Sequence, residues 1–174
     1  VLADGTVIDQ SLAIMQWALQ RNDPMGWLEP RRDSMLALVA ECDSDFKHHL
    51  DRYKYPQRYA DTEALLHRTQ AGGFIGRLEE RLCVSTYLFG NHTALADFAI
   101  APFVRQYAQV DAAWFAAQPW PRMQTWLAEL QASIETARPT IDEREAERRQ
   151  LEEALHAFEE DLQETERQVL VLEH

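Results

Sequence analysis

Residues 90–108 read GNHTALADFAIAPFVRQYA. Leu95, Phe98, Ala99, Phe103, Val104 and Tyr107 recur at helical spacing, which predicts a buried central helix. Asp97 falls in its first turn, where a carboxylate accepts unpaired N–H groups and meets the positive end of the helix dipole. We read this acid as a structural cap rather than a catalytic group, because Asp is a preferred residue at helix starts. Pro102 removes one interior N–H and is expected to bend the helix.

The sequence on either side of this stretch is helical as well. Met35, Leu38, Val39, Cys42, Phe46, Leu50 and Tyr53 mark one face of a long helix from Arg31 to about Lys54, which the Tyr55-Pro56 step should end. A second long helix is expected from about Thr62, with Leu65, Leu66, Thr69, Ile75, Leu78 and Leu82 inward. Gly72 and Gly73 lie inside it and would admit a close neighbour. After a short segment around Trp114 and Phe115, Pro121 suits the first turn of another helix with Met123, Trp126, Leu127, Leu130 and Ile134 on its core face. Residues 31–135 carry no strand pattern, so this region is an all-α bundle.

The beginning differs. Val1-Leu2 and Val7-Ile8 flank Asp4-Gly5, the signature of a β-hairpin with a tight turn. Such a hairpin is marginal by itself, and a chain that opens within its first strand reads as truncated. A helix is expected over LAIMQWALQR, with Leu12, Met15 and Leu19 on one face, broadened by Ile14 and Trp17. It stops at Asn22-Asp23-Pro24, and the segment to Pro30 has linker character, anchored by Trp27 and Leu28.

The end differs too. Thr140 to Glu143 reads as a capping box opening a charged helix. Ile141 to His174 carries twelve Asp or Glu against four Arg, a net of −8 out of the chain's −12. Leu151, Leu155, Phe158, Leu162, Thr165 and Val169 follow the four-three spacing of a coiled-coil seam, over too few heptads to decide between a partner helix and packing on the same chain. Leu172-Glu173-His174 reads as the start of a purification tag.

Composition sets the outer limits. Hydrophobic content of 46% with 17 aromatic residues marks a globular fold. The net charge argues against nucleic acid or an anionic membrane as partner, and no apolar run reaches the roughly 20 residues that span a bilayer. Cys42 and Cys83 lie in helical patterns without metal-ligand spacing and read as buried free thiols of a cytoplasmic protein. No metal site is expected. His48 and His49 are neighbours that do not face one another, and with Asp45 and Asp51 they read as a solvated polar face.

The extended central stretch, YLFGNHTALADFAIAPFVRQYA, resembles the central helix of the C-terminal domain of bacterial glutathione transferases. FKHHLDRYKYPQRY and GFIGRLEERL resemble the first two helices of that domain. VLADGTVIDQSLAIMQWAL resembles the last hairpin and following helix of the family's thioredoxin-like domain. The resemblance covers roughly residues 1–135 and implies a mainly α protein: a transferase-type helical bundle preceded by a remnant β-hairpin and helix, plus a long C-terminal helix. The implied divisions are 1–22 for the thioredoxin-like remnant, 23–30 for the linker, 31–138 for the helical domain, 139–171 for the acidic extension and 172–174 for the tag remnant.

The resemblance also implies site residues. Asp97 belongs to the family's buried capping box, whose Ser or Thr partner usually stands three residues earlier; here that position is Ala94, so the cap is either shifted to Thr93 or half present. Gln10-Ser11 matches the pair that binds the γ-glutamyl end of glutathione. A helix N-terminus suits a carboxylate there, though Ser11 as a plain helix cap and Gln10 as a solvated side chain explain the same residues. Among Arg52, Tyr53, Lys54, Arg105 and Tyr107, the residues Tyr53, Arg105 and Tyr107 are the candidates for a cleft that takes a small-molecule electrophile. The family's thiol-activating residue and cis-proline would precede Val1, so no catalytic residue is assigned.

Two functions follow from this. One is a glutathione transferase-like protein, cytoplasmic and homodimeric, that conjugates or reduces electrophiles with glutathione when its N-terminal domain is complete. The other is a non-catalytic helical scaffold or interaction module, with residues 140–169 engaging a helical partner.

Overall fold

The computed structural model describes residues 5–29, 31–60 and 63–172, with only the backbone described at 164–166 and 168–172. Among the described residues seven α-helices succeed one another: α1 (Ser11–Arg21), α2 (Arg32–Glu41), α3 (Lys47–Lys54), α4 (Ala64–Leu82), α5 (Leu95–Val110), α6 (Ala112–Ala116) and α7 (Pro121–Leu172). No strand occurs among the described residues, and a lone bridge joins Tyr87 to Gly90. Half of the expected N-terminal hairpin lies at residues 1–4, outside the described residues. Gly5 takes the positive φ of +84° that a turn glycine allows, and residues 6–9 join no strand.

The chain divides into two compact units, residues 1–130 and 131–174. The first holds the core. Met35, Leu38, Val39, Cys42, Phe46, Leu50 and Tyr53 are all buried, as their spacing predicts. Their helix is not uniform, because a π-helical segment, Cys42–Phe46, joins α2 to α3. Ser44 lies within it, and its hydroxyl donates to the Ala40 carbonyl at 2.7 Å. Phe46 stacks on Phe74 of α4 with ring centroids 4.9 Å apart and meets Tyr107 of α5 at 5.7 Å. Leu95, Val104 and Tyr107 of α5 are buried, and so are Ala96, Ile100 and Ala101, which broaden its inward face beyond the expected stripe.

α4 corrects one expectation. Leu65, Leu66 and Thr69 face solvent, whereas Ala71, Phe74, Ile75, Leu78 and Leu82 are buried. Tracing that inward face back one turn at a time leads to Arg68, His67 and Ala64, so two polar residues and an alanine take the inward positions in the first two turns. Gly72 provides the close approach expected of it, since a Cβ there would stand 3.2 Å from the Tyr107 hydroxyl and 3.5 Å from the Trp120 ring. At Gly73 only the end of Arg77 lies near.

The segment after α1 is anchored as its aromatic and aliphatic residues foretell. Asp23 accepts from the Trp27 and Leu28 N–H groups at 2.8 and 2.9 Å, Leu28 is buried, and Trp27 meets the Phe98 ring at 4.4 Å. The Trp27 carbonyl accepts from the Leu95 N–H at 3.1 Å, which ties this segment to the start of α5.

In the second unit, Leu151, Leu155, Phe158 and Leu162 are each at least half exposed. Thr140 opens no helix here. α7 passes through Pro139 without interruption, and an exposed helix rich in strong helix formers lets solvent take the carbonyl that proline leaves unpaired.

Candidate functional site

Gln10 is the N-cap of α1, with extended backbone, and Ser11 is the first helical residue. Gln10's carbonyl accepts the Ile14 N–H at 2.9 Å, yet its side chain makes no cap bond and both residues are exposed. Ser11 therefore does not occupy the cap position. The first-turn N–H groups of α1, which have no partner inside a helix, lie beside the Gln10 amide and the Ser11 hydroxyl, an arrangement that suits a carboxylate ligand.

The densest polar chemistry surrounds two buried carboxylates. Asp97, fully enclosed, accepts from the Ala94 N–H at 2.8 Å, the Leu88 N–H at 3.1 Å and the Trp126 indole N–H at 2.7 Å. Ala94 is the N-cap, so the box is half made: the carboxylate reaches back to the cap backbone, and the Asp97 N–H is taken by the Ala94 carbonyl at 3.0 Å instead of a side chain. Thr93 stands one position outside that cap, half-buried. Burial pushes the Asp97 pKa above its ordinary value, opposed by these N–H donors.

The second buried carboxylate, Glu79 of α4, went unnoticed in the sequence. It accepts from the Arg122 N–H at 3.1 Å and the Met123 N–H at 2.7 Å, capping α7 from another helix. In sequence it is one of two adjacent acids in GRLEERL, and no local signal separates it from its exposed neighbour Glu80.

The three residues expected to share a cleft separate. Tyr53 and Tyr107 are core residues with rings 5.5 Å apart, and the Tyr107 hydroxyl donates to the Arg68 carbonyl at 2.7 Å. Arg105 is exposed on another side of α5, because residues two apart on a helix cannot share a face. Burial raises the pKa of both tyrosines. Lys54 bonds Gln106 at 2.8 Å, while Arg52 lies over the Tyr59 ring at 4.3 Å.

The cysteines also part ways. Cys42 is buried, and desolvation pushes its thiol up to about 12. Cys83, expected to be buried, is exposed one residue beyond α4, beside a pocket of about 300 Å³ that Thr86, Arg122 and Glu129 also line. A larger groove of about 540 Å³ presents Arg31, Arg77 and Arg81 next to Leu88 and Phe89. Arg77 is paired with Glu41 and Arg81 lies 5.3 Å over the Phe89 ring, so two of the three cations are already engaged.

His48 and His49 of α3 meet a histidine that sequence reading did not single out, His67 of α4. The His49 and His67 Nδ1 atoms are 2.7 Å apart. Burial lowers the pKa of both His49 and His67.

The sequence family described as "Glutathione S-transferase, C-terminal domain" matches residues 42–133, just over half of the chain. Among solved structures, a glutathione S-transferase from Pichia kudriavzevii superposes with a TM-score of 0.61 at 11% identity, over 78% of this chain and 68% of that one. The bacterial transferase BphK, solved as a ternary complex, gives 0.60 at 17% identity over 74% and 64%. A glutathione S-transferase from Actinobacillus pleuropneumoniae gives 0.60 at 20% over 75% and 61%. At these identities the likeness carries the fold alone, and the chain spans about two thirds of those proteins. No curated protein matches the sequence.

Proposed function

The chain belongs to the family of glutathione S-transferase C-terminal domains, and from that premise we propose that it is the helical part of a transferase-like protein that conjugates or reduces electrophiles with glutathione. On this reading it works in the cytoplasm as a homodimer on a small-molecule electrophile, with glutathione as co-substrate. Two unbonded cysteines accord with that compartment. One observation carries the reading: Gln10 and Ser11 stand exposed, with uncommitted side chains, at the N-terminal end of α1. The γ-glutamyl carboxylate of glutathione would accept first-turn N–H groups and the Ser11 hydroxyl, while the Gln10 amide meets the neighbouring amine.

Attack on an electrophile needs a thiolate, and the groups here are poor at stabilising one. Tyr53 and Tyr107 are buried, with pKa values raised further from neutrality. Residues 1–174 by themselves should therefore bind the tripeptide without activating it. Of the proposed cleft residues, exposed Arg105 remains the candidate for the electrophile.

The test is calorimetric titration of glutathione onto the 174-residue chain, with Ser11→Ala and Gln10→Ala beside it. Binding that both substitutions weaken supports the reading, and affinity indifferent to both overturns it. Transfer to a model electrophile that survives in this chain, and disappears on Ser11→Ala, would show instead that it activates the thiol by itself.

A second reading concerns residues 140–169 as an interaction helix. Leu151, Leu155, Phe158 and Leu162 form an exposed seam, and Glu152, Glu159 and Asp161 flank it. Acidic flanks repel a second copy laid alongside in parallel and favour a helix with basic flanks. Leu155→Glu should abolish capture of such a helix while leaving the thermal stability of the first unit unchanged.

A further inference from the structure

Three imidazoles from two helices converge at a place the proposed transferase site does not use. His48 and His49 lie on α3 and His67 on α4, and each can present a ring nitrogen such that all three lie within 4.8 Å of one another. The ring centroids are 4.9 Å apart for His48–His49, 5.0 Å for His49–His67 and 6.0 Å for His48–His67. Adjacent positions on one helix do not chelate by themselves. A third ligand from the facing helix changes that, because α3 and α4 bring His67 within reach of both.

The spacing fits a cation. In a tetrahedral site with metal–nitrogen bonds near 2.0–2.1 Å, ligand nitrogens stand about 3.3 Å apart. The pair at 2.7 Å must open slightly and the wider pairs must close, within what side-chain rotation allows. Asp45 stands 3.7 Å from His49 Nε2, on the side of the ring away from His67. At that distance the carboxylate makes no hydrogen bond, but its negative charge favours the tautomer protonated at Nε2 and so leaves the Nδ1 lone pair aimed into the cluster. His48 is exposed and the other two are half-buried, so an ion has a way in from solvent.

We propose that His48, His49 and His67 form a three-histidine site for a divalent transition cation of the zinc type, with Asp45 orienting His49 and water completing the coordination. Three neutral imidazoles suit zinc, nickel or copper and discriminate against magnesium and calcium, which prefer oxygen ligands. One neighbour opposes the ion. Arg52 reaches His48 Nδ1 at 3.1 Å and the His48 carbonyl at 3.2 Å, placing a positive charge at the mouth of the site and occupying one of its nitrogens. A bound cation displaces that contact, so Arg52 sets the affinity low and its removal raises it. The bound ion fastens α3 to α4.

The experiment is calorimetric titration of ZnCl2 onto the full chain prepared without any added histidine tag, paired with Co2+ loading followed by visible absorption. The wild type should take up one equivalent and show the intense visible bands of four-coordinate Co2+. His67→Ala should abolish both, His48→Gln should weaken uptake, and Asp45→Asn should weaken it about tenfold. Arg52→Gln should tighten it, which a merely structural cluster would not do. Each variant's far-ultraviolet circular dichroism is compared with the wild type, and His48→Gln on the exposed rim decides the matter if His67→Ala fails to fold. Absence of stoichiometric uptake, or uptake indifferent to both histidine substitutions, overturns the site.

Discussion

Carboxylates fill two very different roles in the two units of this chain. Between residues 1 and 130, Asp97 and Glu79 are buried, and each is surrounded by N–H donors fixed by the backbone or by an indole. Between 131 and 163 the acids are exposed, and three of them meet arginines on their own helix turn: Arg138–Glu135 at 2.9 Å, Arg144–Glu147 at 3.0 Å and Arg148–Glu152 at 3.1 Å, each of these side chains more than half exposed. The distances are similar and the energetics are not. Removing a buried acid leaves several donors unpaired away from water, whereas removing an exposed one returns its partner to solvent. Burial, more than geometry, gives a carboxylate its structural weight here.

That contrast breaks most visibly at Asp97. Asp97→Ala strands the Ala94, Leu88 and Trp126 donors at once and should cost about 3–5 kcal/mol in urea denaturation. A loss under about 1 kcal/mol would mean that burial gives it no more weight than a surface acid. The pH dependence sharpens the point. Because burial holds the Asp97 pKa above its ordinary 3.8, the folded chain binds that proton more tightly than the unfolded one. The proton-linked part of this group's contribution is complete below the ordinary value and lost as pH rises through the raised one, while the accepted hydrogen bonds remain. The stability difference between wild type and Asp97→Asn should accordingly shrink as pH rises across that window, as read from denaturation at stepped pH.

Glu79→Ala comes next, at about 2–3 kcal/mol, since two backbone donors at the start of α7 lose their acceptor. Gly72→Ala tests close packing rather than charge. The new methyl meets a Tyr107 hydroxyl already committed to Arg68, so a net loss of about 1 kcal/mol is expected in spite of alanine's better helix propensity. Arg148→Ala should change stability by less than about 0.5 kcal/mol, and a larger loss would show that the exposed pairs act as a network.

The same contrast explains what the sequence reveals. Asp97 was legible as a cap because its partner Ala94 is three residues away and its helix is announced by a strong apolar period. Glu79 was not, because the residues it caps lie more than forty positions onward and nothing in its own surroundings marks it. The inward face of α3 could be read from apolar spacing, whereas α4 begins with polar residues turned inward and leucines turned out, the reverse of what spacing assumes. His67 is the costliest omission. It is a single histidine on a helix, and it gains meaning only once α4 packs against α3 and brings it to His49. Tyr53, Arg105 and Tyr107 were grouped by family resemblance, and helical geometry separates the arginine from the pair.

The cap that Glu79 places on α7 has a consequence in time as well as in energy. The opening amides of a helix ordinarily exchange their hydrogens with solvent first, because no carbonyl within the helix protects them. Here the Met123 amide is buried and held at 2.7 Å by a carboxylate from a different helix. In deuterated water it should be among the last protons to disappear, so that this helix's first turn outlasts the ends of its neighbours.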